Sequence, residues 1–409
     1  MSTNKLYIIA GVLIVAIFVL IFFLVFGGFG PGTEQVELEF WGVFDEPAFF
    51  SEASRTFRQS NPNVNVRYVS FSFEEYERAV IDALASGRGP DIWLIQSTWL
   101  AKHKDKLAPL PQEDKDLNYK LINFRQDFVD VAEVDLVDSG QIYALPLYVD
   151  TLALYYNKDL FNSAGIASPP QTWDDFNEAV KTLTKTDTRG NIQTSGAAIG
   201  TARNINRSTD LLMLLFLQSG VQLVDRTRNE ASFADPIGFQ RVGETALEYY
   251  TDFANPLKSV YTWNDNQFYS IDAFITGRTA MFFNYSHHIP TIRSKAPRWN
   301  FGVALMPQPK GALVRVDYAN YFAPSVSAAS KNQKTAWQFL LHLSSREGAL
   351  SYLRESGRPS ARRDLIDFQK TDPDLGVYAQ QSLTARSWYQ IEPSAIEKIF
   401  ADMIEDVVF

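Results

Sequence analysis

Two loops in the first quarter of this chain set a tryptophan beside polar side chains. One is Trp41-Gly42-Val43-Phe44-Asp45, the other Gln96-Ser97-Thr98-Trp99. Each follows a short apolar segment that reads as a strand, and ligands of open α/β sheets sit beyond the carboxyl ends of strands. A flat ring face flanked by fixed donors and acceptors is what a sugar requires. A third stretch of this kind is Tyr261-Thr262-Trp263-Asn264-Asp265-Asn266. Candidate ligand residues are therefore Trp41, Asp45, Ser97, Thr98, Trp99 and Trp263. Tyr318 and Tyr321 are further site aromatics. Tyr148 and Asp150 join them from a central apolar stretch in which Asp150 is an isolated carboxylate.

Other chemistries find less support. A glycosidase needs two carboxylates about 5–10 Å apart across a cleft. Asp45 and Asp150 could be cast in those roles, but no motif places them. No Gly-x-Ser-x-Gly, His-Glu-x-x-His or phosphate-binding loop occurs. The chain has no cysteine, which removes disulfides, thiolate catalysis and thiolate-bound metal. His287-His288 has no third metal ligand nearby and reads as a surface or capping pair. No catalytic residue, metal or cofactor is expected. A net charge of −9 argues against a nucleic-acid surface.

The elements that position these residues follow from hydrophobic periodicity. Val36–Trp41 alternates as a strand, and Asp45 and Pro47 open a helix. Val64–Ser70 is a second strand. Ser72-Phe73-Glu74-Glu75 reads as a capping box before a helix that buries Tyr76 and Val80. Asp91–Ile95 is a third strand, so this part forms a mostly parallel sheet. Residues 144–161, Ala-Leu-Pro-Leu-Tyr-Val-Asp-Thr-Leu-Ala-Leu-Tyr-Tyr-Asn-Lys-Asp-Leu-Phe, read as an extended crossing between two lobes. Thr172-Trp173-Asp174-Asp175 caps another helix, Leu211–Leu217 is a buried helix, and Asp235 starts a long helix that includes Phe239. Phe301–Pro307 is the return crossing, and Ser394–Phe409 is a last amphipathic helix.

Length and the N-terminus set the outer organisation. A chain of 409 residues is long for one core, so two lobes are expected. Residues 6–26 are almost wholly apolar, enough to span a bilayer core of about 30 Å. They are followed by Gly27-Gly28-Phe29-Gly30-Pro31-Gly32 rather than a small-residue cleavage site. This predicts an uncleaved single-pass anchor in the cell membrane, with Lys5 on the cytoplasmic side and the bulk of the chain extracytoplasmic.

Several motifs, in order, resemble the bacterial extracellular solute-binding proteins of the sugar-binding, maltose-binding-protein-like group. They are Gly87-Arg88-Gly89-Pro90-Asp91-Ile92, the stretch 145–161, Pro169–Lys185, the Phe-x-x-Gly-Arg-x-Ala-Met run at 274–281, and Ser327–Leu365. The resemblance spans roughly residues 36–405. It implies an α/β, two-lobed, periplasmic-binding-protein-like (type II) fold with interlobe hinge strands, here preceded by one N-terminal transmembrane helix. The expected division is 1–32 as anchor and stalk, 33–149 with 301–343 as lobe I, and 150–300 with 344–409 as lobe II. It also implies that Asn284, Tyr285, His287 and Arg358 approach the cleft. Acidic residues are frequent in that family where Ser97, Thr98 and Trp99 stand here, which favours stacking with neutral hydrogen bonds. The implied activity is hinged capture of a sugar or oligosaccharide by a monomer that passes it to an ABC permease in the membrane. The alternatives are an anchored ligand sensor or a glycoside-processing enzyme.

Overall fold

A computed structural model describes residues 35–225, 227 and 230–408. The expected membrane helix over 6–26 and its stalk lie outside the described residues. Among the described residues no helix is long and apolar enough to cross a membrane.

The first sheet is built around the strand Val36–Val43. It runs parallel to Val64–Phe71 on one side and to Ile92–Gln96 on the other. Leu38 and Phe40 are fully buried, while Glu37 and Glu39 face outward and pair with Arg67. Alternation of side chains along the strand produces this division. Phe322–Val326, arriving from far along the chain, closes the sheet as an antiparallel edge strand against Ile92–Gln96. Helix Phe73–Ala85 covers one face and is fastened by Tyr76. Its hydroxyl donates to the Trp41 carbonyl at 3.0 Å and accepts from the Leu94 amide at 2.8 Å. The expected cap at Ser72 is not made. Its hydroxyl turns to the Glu75 carboxylate at 2.7 Å and leaves the helix backbone alone. The box at Thr172 is made, with reciprocal bonds to Asp175 of 3.1 and 3.0 Å.

The second sheet is antiparallel. Ala153–Asn157 is its centre, flanked by Met281–Asn284 and Phe301–Ala304. Strand Met281–Asn284 follows helix Ser270–Ile275 through Gly277, whose φ of +73° suits glycine and whose added Cβ would meet the Trp299 ring at 3.0 Å. Helix Ser208–Gln218 is buried nearly all round, as its apolar run predicts. The helix expected from Asp235 begins only at Val242, and Phe239 is fully exposed. Pro236 and Gly238, the latter at φ +63°, turn the chain there instead.

Residues 144–152 are not one strand. Ala144, Tyr148 and Thr151 make isolated bridges to Ser325, Ser360 and Ala319, and the regular strand starts at Ala153. Pro146 has no N–H to give a ladder. The return is not at Phe301–Pro307 either, since Phe301–Ala304 belongs to the second sheet. The chain returns at 317–321, and a third crossing follows at 385–386. The three lie side by side. Leu152 N–H donates to the Tyr318 carbonyl at 3.0 Å, Asn320 N–H to the Asp150 carbonyl at 3.0 Å, and Ala319 N–H to the Arg386 carbonyl at 2.9 Å.

The buried apolar side chains divide on either side of these crossings. One cluster takes residues from 38–149 and 319–385; a second takes residues from 152–318 together with Phe400 and Ile404. Residues 344–409 therefore do not follow the second core as a unit. Tyr352 packs its ring on Phe50 in the first core and donates its hydroxyl to Asp45. A smaller third cluster surrounds Tyr155, Phe274 and Trp263. Trp263 is fully buried there, and its indole N–H donates to Asn204 Oδ1 at 2.9 Å. Replacing Trp263 by Ala should therefore lower unfolding free energy by about 3–5 kcal/mol. Urea denaturation measures this; a loss below about 1 kcal/mol would show that the ring is not core.

Candidate functional site

Where the crossings meet the ends of the first sheet, two cavities open into one groove. The first, of ≈ 420 Å³, is lined by Phe44, Tyr148, Asp150, Arg207, Tyr285 and Phe322, among others. The second, of ≈ 370 Å³, is lined by Ser97, Thr98, Trp99, Asp210, Tyr318 and Trp388, among others. Phe73, Gln96, Arg207 and Asn320 line both.

One wall is aromatic. Phe44 lies just past the strand Val36–Val43 and is 57% exposed. Its ring stacks on Phe73, centroids 5.5 Å apart, and meets Phe322 edge-on at 5.8 Å. Phe44 is held at φ +62°, a left-handed conformation that costs an ordinary residue about 1–2 kcal/mol. Its carbonyl accepts from Arg358 at 3.0 Å. The same guanidinium donates to Asp45 at 2.9 Å and lies 4.3 Å over the Tyr148 ring. Burial pushes the Asp45 carboxyl up, opposed by Arg358 and the Tyr352 hydroxyl. Burial likewise raises the Tyr148 hydroxyl to about 12.

The facing wall is polar. Arg207 is also left-handed, at φ +62°, immediately before helix Ser208–Gln218. Its Nε donates to Asp210 Oδ2 at 2.7 Å, and Tyr285 gives its hydroxyl to the same oxygen at 2.6 Å. Burial opposes the Arg207 charge, but Asp210, Tyr285 and Glu397 hold it firmly protonated. Beside it, Asn206 accepts from Asn284 Nδ2 at 2.9 Å.

Asp150 forms the floor. Its carboxylate accepts from Ser286 N–H at 3.0 Å, Ser286 Oγ at 2.7 Å and Thr151 N–H at 2.9 Å. His287 stands 3.8 Å away. Gln96 Nε2 donates to Asn320 Oδ1 at 3.0 Å, joining the first sheet to the return crossing. Tyr321 directs its hydroxyl to Asp135 at 2.8 Å, and Ser387, just past the third crossing, bonds the other oxygen of that carboxylate. Burial raises Asp135 to about 7. His288 is pushed down to about 3 by burial and by His287, so it is neutral. Among the described residues no three metal-ligating side chains cluster.

Of the residues expected from sequence, Tyr148, Asp150, Tyr285, His287, Tyr321 and Arg358 line the first cavity, and Ser97, Thr98 and Trp99 the second. Asp45 stands one layer behind, holding Arg358. Three further expectations are corrected. Trp263 is core. Asn284 is fully buried and reaches the groove only through Asn206. Trp41 lines neither cavity; it leans on Phe71 and donates its indole N–H to Glu39 at 3.2 Å. Asp45 is held by Arg358 and Tyr352, and Asp150 by Ser286 and Thr151. Sequence reading named the loops that hold Phe44 and Gln96 without selecting these two residues, and passed over Phe73, Phe322, Asn206, Arg207 and Asn320. Phe44 and Gln96 carried the signal of a loop at a strand end, and Phe73 that of an aromatic at a helix start.

Two predictions follow from this geometry. Phe44→Gly relieves the left-handed backbone, so unfolding free energy should stay within about 1 kcal/mol of the parent although a large ring is lost; a larger loss would mean the ring is packing rather than a displayed surface. Asp135 binds its proton more tightly folded than unfolded, so its contribution is full at low pH and is lost as pH rises from about 4 to about 7. Asp135→Asn should therefore gain stability relative to the parent across that window, by up to about 4 kcal/mol. Thermal melts of both proteins across pH read this, and parallel pH curves would exclude it.

Comparison with known proteins agrees with this architecture. A family model of bacterial extracellular solute-binding proteins matches residues 42–350. The multiple sugar-binding protein of Streptococcus mutans is 24% identical over 228 residues, 54% of this chain and 51% of that one. An ABC-transporter solute-binding protein of Thermotoga lettingae, bound with α-D-tagatose, superposes with a TM-score of 0.68 at 23% identity, covering 91% of this chain and 94% of that one. The sugar-binding protein MalE of Xanthomonas citri superposes with a TM-score of 0.73 at 18% identity, covering 91% and 92%. All three are named as binding proteins, the Thermotoga lettingae one of an ABC transporter, and the fold is their two-lobed α/β fold. Through its match over most of its length, the chain belongs to the bacterial extracellular solute-binding proteins.

Proposed function

We propose that this protein captures a carbohydrate in the groove between its lobes and delivers it to an ABC permease. The observation that carries this reading is the pairing of walls. Phe44 and Phe73 are exposed aromatic rings stacked on each other, while Arg207 and Tyr285 line the same cavity with their geometry already fixed by Asp210. Stacking on one side and ordered polar groups on the other is the combination that sugars select. The sugar-binding relatives support the same class.

In this reading the lobes are the bodies around the two sheets, and they rotate about the three crossings at 150–152, 317–321 and 385–386. Ligand contact with both walls favours the closed state by its differential affinity. The apolar segment 6–26 anchors the protein, with the bulk outside the membrane.

A thermal-shift screen against mono- and oligosaccharides tests the reading. A ligand at 100 times its Kd should add about 2.7 kcal/mol of stability, without turnover. Phe44→Ala with Phe73→Ala should weaken that ligand by about 1–3 kcal/mol. Silence with every sugar, or hydrolysis of one, would overturn the assignment.

A further inference from the structure

The two halves of the groove differ in charge. The second cavity is lined by four carboxylates, Glu74, Glu77, Asp210 and Glu397, against one guanidinium, Arg207. Arg207 is committed to Asp210 at 2.5 Å. Glu77 is met by Lys102 and His103, each at 2.7 Å. Among the described residues Glu397 has only the Arg207 guanidinium, at 3.9 Å. Glu74, exposed, has no hydrogen bond or ion pair among the described residues. Two carboxylates at this cavity are therefore left with little or no compensation.

A second observation is independent of charge. Ser97 lines the same cavity and is 3% exposed, and among the described residues neither its hydroxyl nor that of Thr98 beside it has a hydrogen-bond partner. A buried polar group left unsatisfied carries a desolvation cost that a ligand hydroxyl would recover. Resting on the reading of the groove as a sugar site, we propose that the second cavity receives the cationic residue of an amino-sugar oligosaccharide. Its ammonium is drawn to Glu74 and Glu397, and its hydroxyls meet Ser97 and Thr98. Anionic sugars are rejected there, because like charges brought together are costly.

The test is calorimetric titration of the full chain with the glucosamine disaccharide and with its N-acetylated, uncharged counterpart, at about pH 6, where the amines are protonated. The cationic disaccharide should bind at least about tenfold tighter at low salt. That preference should shrink several-fold at about 0.5 M salt. In the Glu74→Gln, Glu397→Gln double variant, both changes being at exposed side chains, it should fall close to one. Equal binding of the two sugars, or a preference that survives the double variant, overturns the proposal and leaves sugar capture standing. Absence of binding by either, and by malto-oligosaccharides as well, overturns both.

Discussion

The structure depends on how one buried carboxylate is satisfied. Asp150 sits where the chain first leaves one core for the other and is almost fully enclosed. A carboxylate there is tolerable only if its lone pairs are filled. Ser286 and the Thr151 amide fill them, which ties the crossing to the loop after strand Met281–Asn284. The Asp150 carbonyl meanwhile receives the Asn320 amide, so the return crossing is aligned on the same residue. A single position thereby sets the register of two crossings and the floor of the groove.

Strain is placed symmetrically about that floor. Phe44 and Arg207 are two of the few non-glycine residues at positive φ among those described, and they stand on opposite walls. Each is over-determined by neighbours. Phe44 is held by Arg358 through its carbonyl, and Arg207 by Asp210 and Tyr285. Backbone strain of this kind persists where surrounding contacts enforce it, and it preorganises a surface before ligand arrives. The buried Arg358–Asp45–Tyr352 group carries this support into the first core, far in sequence from the loop it steadies.

Much of the fold was legible because it rests on periodicity. The alternation in Val36–Val43, the apolar run at 211–217 and the capping box at Thr172 each report a local constraint that the structure keeps. The failures were also local. Ser72 found a nearer partner in Glu75, and Pro236 with Gly238 turned a segment that hydrophobic spacing alone would extend into helix. The site was half legible. Tyr148 and Asp150, read from the central apolar stretch, and Tyr285 and Arg358, implied by the resemblance, do line the first cavity. Trp41 and Trp263 were misplaced because a tryptophan among polar residues looks the same whether its N–H serves a ligand, Glu39 or Asn204.

The sequence by itself determined most of the elements and the family, since these follow from side-chain spacing and from motifs short enough to be read along the chain. Tertiary structure alone decided which rings are displayed and which are buried. It placed the return crossing at 317–321 rather than 301–307, and it shared the last segment between two cores. Those outcomes depend on pairings such as Asp150 with Ser286, Asp45 with Arg358 and Ser387 with Asp135. Their partners lie more than a hundred residues apart, and no local pattern encodes a contact that only the closing of the chain on itself creates.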